Sequence, residues 1–81
     1  MTFLERYEQE DTWYGKVIII EIFHLVMTRK EKGWTVTKTA ECFGLSIGLV
    51  SENLRIAEAM HKDERVLNAG SRQRALRMIG V

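Results

Sequence analysis

The sequence has no proline, a single cysteine, and no apolar run approaching the roughly 20 residues that cross a bilayer. Each absence excludes something. Without proline, no residue forces a helix to kink or stop, so long helices are open to the chain. One cysteine, Cys42, rules out an internal disulfide and fits a reducing compartment. The opening residues lack the pattern of a secretory leader. A cytoplasmic protein is therefore expected, nucleoid-associated if bacterial, with no membrane partner. Residue sets that carry chemistry are also missing. His24 and His61 are far apart and form no metal-ligand spacing with Cys42. His24 reads as a core-edge or interface histidine, and Cys42 as a small packing residue. The carboxylates are scattered. Gly33, Gly44, Gly48, Gly70 and Gly80 assemble no phosphate loop. No enzyme, no cofactor and no metal site is expected.

Net charge is small, but the charges are unevenly placed. The formal net charge is +1, which alone does not mark a polyanion binder. Residues 1–12 carry Glu5, Glu8, Glu10 and Asp11 against Arg6. Residues 55–81 carry Arg55, Lys62, Arg65, Arg72, Arg74 and Arg77 against Glu58, Asp63 and Glu64. A polyanion would prefer the second half. For any single arginine, an ordinary solvated helix face is the better explanation.

What remains is helical. At 81 residues and 46% hydrophobic, the chain is one domain, residues 1–81, near the lower size limit for a self-sufficient core. Residues 1–12 read as an acidic arm, either a short helix or a frayed terminus. Asp11 or Thr12 can cap a long helix over 13–32. The run Val17–Ile20 alone would suit a strand. The apolar stretch continues too far for that, and it ends in Arg29, Lys30 and Lys32 followed by Gly33, a helix stop signal. This helix is apolar on nearly every side. Either the flanking segments wrap it within one chain, or a face carrying Ile18, Ile19, Ile22, Phe23 and Val26 meets a second copy in a homodimer.

Residues 35–61 have the spacing of a helix-turn-helix. Thr35 or Thr37 can cap a helix ending near Phe43, and Ser46 can cap one from Ile47 to His61. Ala40 supplies the small residue where two helices cross. Gly44 supplies the positive φ of the turn, and Val50 and Leu54 face back onto the first helix. Residues 63–79 read as C-terminal helices. A short piece over 63–68 is broken at Ala69–Gly70, and Ser71 caps a second piece whose Ala75, Leu76 and Ile79 form a packing stripe. The expected fold is an all-α small helical bundle containing a helix-turn-helix.

In such a unit the second helix enters the DNA major groove. The residues left facing outward are Ser46, Ile47, Gly48, Ser51, Glu52 and Arg55. Ser51 can reach a base or a phosphate, Glu52 can accept from a cytosine amino group, and Arg55 can pair with guanine or phosphate. Lys38 lies near the backbone. Gly48 either admits a close approach or is simply tolerated in a first turn.

The stretch Thr35–Ile79 resembles the DNA-binding domain of the ParB/KorB partition proteins. The residues that carry the likeness are Ala40, Gly44–Leu45–Ser46, Val50–Ser51 and Leu54–Arg55–Ile56, then Val66–Leu67, Gly70, Ala75 and Leu76. The resemblance implies sequence-specific binding to a double-stranded centromere-like or operator site, with Ser46, Ser51 and Arg55 at the groove and the later helices, with Arg72 and Arg74, holding the backbone. It departs at Ala59–Met60–His61, which lacks the family's Leu-Pro turn. The nucleotide-binding and dimerisation domains of those proteins have no counterpart here. The expectation is a small transcriptional regulator or partition-type protein of a plasmid, phage or virus. The competing expectation is a protein-interaction adaptor built on the same scaffold.

Overall fold

Six side chains set where the helices begin in the computed structural model, which describes residues 2–80. Thr2 caps α1 (Phe3–Gln9) and Thr12 caps α2 (Trp13–Glu31). Thr35 caps α3 (Val36–Phe43), Ser46 caps α4 (Ile47–Lys62), Asp63 caps α5 (Glu64–Leu67) and Ser71 caps α6 (Arg72–Met78). Each cap oxygen accepts from a backbone N–H in the first turn, a contact worth about 1 kcal/mol. The described residues contain no strand. The expected all-α small bundle is what the chain forms.

The ends follow the same logic. Lys32 and Gly33 close α2 in left-handed geometry, with Gly33 at φ 105°. Gly44 closes α3 at φ 67°, and the Leu45 N–H reaches back to the Ala40 carbonyl at 2.9 Å. That bond pattern turns the chain sharply into Ser46 and satisfies a carbonyl that would otherwise be orphaned.

Packing is organised around α2, which separates two apolar clusters. On one side Val17 lies with Ile56, Ala57, Met60, Val66 and Ala75, from α4, α5 and α6. On the other, Ile19 and Ile20 lie with Ala40, Phe43 and Val50, from α3 and α4, and with Phe3 and Tyr7 of α1. Ala40, 2% exposed, is the small residue at which α3 meets its neighbours.

The acidic arm is therefore a packed helix. Phe3 and Tyr7 are four residues apart, so both point down onto α2 and α3. Phe23 is the hub of the aromatic contacts, with ring centroids 5.5 Å from Phe3, 5.5 Å from Trp34 and 4.9 Å from Phe43. Two expectations for the dimer face need correction. Ile19 is only 6% exposed and belongs to the core, and Phe23 is half-buried inside the aromatic cluster. A third correction concerns Cys42, which is exposed on α3 and not a buried packing residue. His24 sits at the core edge, where Nδ1 lies 2.7 Å from the Thr39 hydroxyl.

The elbow between α1 and α2 is tight. Glu10 folds back over the start of α2, accepting from the Thr12 hydroxyl at 2.8 Å and the Thr12 N–H at 3.1 Å. These bonds hold its carboxyl below the usual glutamate value. Lys16 ties α1 from the other side, donating to the Tyr7 carbonyl at 3.0 Å. A Cβ on Gly15 would run into the Glu10 side chain and the Thr12 hydroxyl. Gly15→Ala should therefore destabilise the fold by about 1–2 kcal/mol despite alanine's better helix propensity. Denaturant unfolding checks this, and Glu10→Ala added to Gly15→Ala should recover part of the loss.

Candidate functional site

The surface built by α3, the Gly44–Ser46 turn and α4 is decided by which side of α4 is occupied. Val50, Asn53, Ile56, Ala57 and Met60 are buried, a spacing that follows one helical face. The opposite side of the first turns is therefore turned to solvent. Ser46, Ile47, Gly48, Ser51 and Arg55 are all exposed. Ile47 is 53% exposed, a large apolar side chain left in water at the start of a helix. A Cβ on Gly48 would meet nothing within 4 Å, so the surface around it is open. The Ser46 hydroxyl is already engaged, accepting from the Leu49 N–H at 3.1 Å. Lys38 is exposed on α3, with its ammonium 4.9 Å from the centre of the Trp34 ring.

Glu52 and Arg72 differ from the others. Asn53 is buried, 4% exposed, and such an amide needs a partner. Arg72, at the start of α6, supplies it: Nε donates to Asn53 Oδ1 at 2.8 Å, and a second guanidinium nitrogen donates to Glu52 at 3.2 Å. One arginine thus clamps α6 onto α4 and fixes a carboxylate at the edge of the exposed face. Sequence reasoning grouped Arg72 with the free cations and did not single out Asn53. A polar residue at an inward register position of α4, between Val50 and Ala57, was the available signal.

The remaining cations divide in the same way. Arg55 and Lys62 border a shallow groove with Glu58 and Ile79, between α4 and α6. Lys62 pairs with Glu58 at 3.0 Å, which lowers the Glu58 carboxyl's affinity for a proton. Arg65 donates to Asp63 through its guanidinium at 2.9 Å and through its backbone N–H, also at 2.9 Å. Arg55 and Arg74 are exposed, and neither makes a side-chain hydrogen bond or ion pair among the described residues. No cluster of three or more His, Cys, Asp or Glu able to hold a metal occurs among the described residues, and no helix there is long and apolar enough to cross a membrane. Set against known proteins, the chain matches no family model, no curated protein and no solved structure.

Two outcomes follow. Arg72→Ala leaves the Asn53 carbonyl oxygen buried without a donor and should lower stability by about 1–3 kcal/mol. Arg74→Ala, which breaks no such bond, should change it by less than about 0.5 kcal/mol in the same urea titration. The second outcome is a pH dependence. Hydrogen bonds from the Arg65 side chain, then from its backbone, hold the Asp63 carboxyl below its ordinary value. A depressed acid stabilises the fold above its unfolded-state value and loses that contribution as pH falls through the lower folded-state value. The α5 cap should therefore survive mild acid and open only once the pH drops below the ordinary aspartate range. The Arg65 amide signal in an NMR pH titration reports it.

Proposed function

We propose that the chain binds double-stranded DNA, using α3 and α4 as a helix-turn-helix with the first turns of α4 in the major groove, as a small transcriptional regulator or partition-type protein. The observation that carries this reading is the outward face of α4, where Ile47, Gly48, Ser51 and Arg55 are all exposed while the opposite face is fully used in packing. The residue types suit base edges. The Ile47 side chain offers an apolar surface to a thymine methyl, and Gly48 keeps a backbone approach unobstructed. Ser51 and Arg55 follow at helical spacing and reach bases or phosphates. The likeness of Thr35–Ile79 to the ParB/KorB domains supports the same assignment.

The clamp refines the roles. Arg72 acts from behind as a support, and the cations left for phosphate are Lys38, Arg55 and Arg74. Glu52, held by Arg72, presents a carboxylate in a fixed position. A fixed acceptor suits one cytosine amino group and repels the phosphate of a misaligned duplex. The adaptor reading uses the same helix-turn-helix scaffold together with the apolar side of α2, without DNA.

The test is fluorescence anisotropy of labelled duplex DNA titrated at several salt concentrations. Affinity should fall steeply with salt, because phosphate contacts release counterions. Arg55→Ala should cost about 1–3 kcal/mol in binding, and Arg74→Ala should reduce the salt slope by about one contact. Ile47→Ala should weaken a selected site more than random duplex. Absence of binding at low salt overturns the proposal.

A further inference from the structure

The side of α2 that faces away from the core is apolar where a solvated helix would be charged. Tyr14, Ile18, Ile22 and Leu25 recur at intervals of four, four and three residues, so they form one stripe along the helix. At 100° per residue, that stripe lies opposite Ile20, which is 0% exposed. Tyr14 is 42% exposed, Ile22 39% and Leu25 46%, with Val26 beside them at 42%. Beside the stripe runs a groove of about 430 Å³ between α1 and α2, floored by Ile18, Ile19 and Ile22 and rimmed by Arg6 and Gln9. Ile18 is partly buried against the Val17 cluster, whereas Tyr14, Ile22, Leu25 and Val26 belong to neither apolar cluster of the monomer and stay uncovered.

We infer that this stripe pairs with the same stripe of a second copy, the two α2 helices running antiparallel about a two-fold axis near Ile22. The charges of the chain select that occupant and that direction. The stripe is flanked by Glu10 and Asp11 at the start of α2 and by Arg29, Lys30 and Lys32, against the single acid Glu31, at its end. Antiparallel pairing lays the cationic end of each copy against the acidic end of the other and opposes the helix dipoles favourably. Parallel pairing would set cation on cation and acid on acid. About the two-fold axis, Ile18 of one copy meets Leu25 of the other, and Arg29 reaches the Tyr14 ring. Leu25 and Val26 then lie over the groove between α1 and α2 and supply apolar side chains to fill it. The stripe from Tyr14 to Leu25 is about 17 Å long, at the small end of stable interfaces. The dimer is therefore concentration-dependent. It does not rest on the DNA reading: a chain that dimerises in this way and ignores DNA leaves the inference intact.

Sedimentation equilibrium of the full chain over a concentration series tests it. The expected result is reversible dimerisation that weakens with salt. Ile22→Glu and Leu25→Glu should each raise the dimer Kd by at least about tenfold, with the helical circular dichroism retained. Direction is tested by disulfide trapping in a Cys42→Ser background. Antiparallel pairing predicts that Ile22→Cys cross-links to itself and that Tyr14→Cys cross-links to Arg29→Cys, while Leu25→Cys alone does not. Self-cross-linking of Leu25→Cys without the Tyr14–Arg29 bridge would overturn the antiparallel arrangement. A species that stays monomeric at the highest concentrations would overturn the dimer, and so would a dimer insensitive to both glutamate variants.

Discussion

Everything in this chain depends on α2 having apolar side chains on more than one face. A helix with a single apolar stripe would serve one layer of neighbours and leave the rest of the chain without a core. Here Val17 anchors α4, α5 and α6, while Ile19 and Ile20 anchor α1, α3 and the start of α4. Because α4 touches α2 in both clusters, the turn between α3 and α4 is held from its two ends. The geometry of the outward α4 face is thus a consequence of α2, although α2 contributes no residue to that face.

The second dependence is polar. Asn53 occupies an inward position of α4 where an aliphatic residue would pack without needing a partner. Its amide is satisfied only when Arg72 is in place, so the docking of α6 and the burial of Asn53 are one event. A buried polar node of this kind contributes less to stability than to uniqueness, because a shifted α6 would leave the amide unpaired. It also fixes Glu52 next to Ile47, Gly48 and Ser51. The arrangement of the outward face is thus set partly from α6, through Arg72.

Much of the fold was legible in the sequence because it is written in local signals. Thr12, Thr35, Ser46 and Ser71 are cap residues followed by periodic apolar positions, and Gly33 and Gly44 mark the stops, so helix boundaries were readable to within a residue or two. The outward α4 residues were readable because helical spacing divides Val50 and Ala57 from Ser51 and Arg55. What could not be read depended on contacts between distant segments. The ordering of α1 rests on Phe3 and Tyr7 finding Phe23 and Phe43, and charge composition alone made the arm look solvated. Ile19 and Phe23 looked available for a partner because α2 is apolar all round, and only the position of α1 shows them covered. Arg72 looked like one more surface cation because its partner is 19 residues away.

The apolar character of α2 also bears on what the molecule exposes. In a chain this small, surface area is large relative to the core, and a helix central enough to join two clusters cannot be fully covered by its own chain. Tyr14, Ile22, Leu25 and Val26 remain exposed on its far side as a result. Replacing them with charged residues would cost the monomer little, since none contributes to the face that meets Ile20. That surface differs from the α4 face in chemistry: aliphatic and aromatic on α2, against hydroxyls, an open glycine and an exposed arginine on α4. One helix pair supplies both the scaffold that presents α4 and the surface by which a second scaffold could be brought alongside.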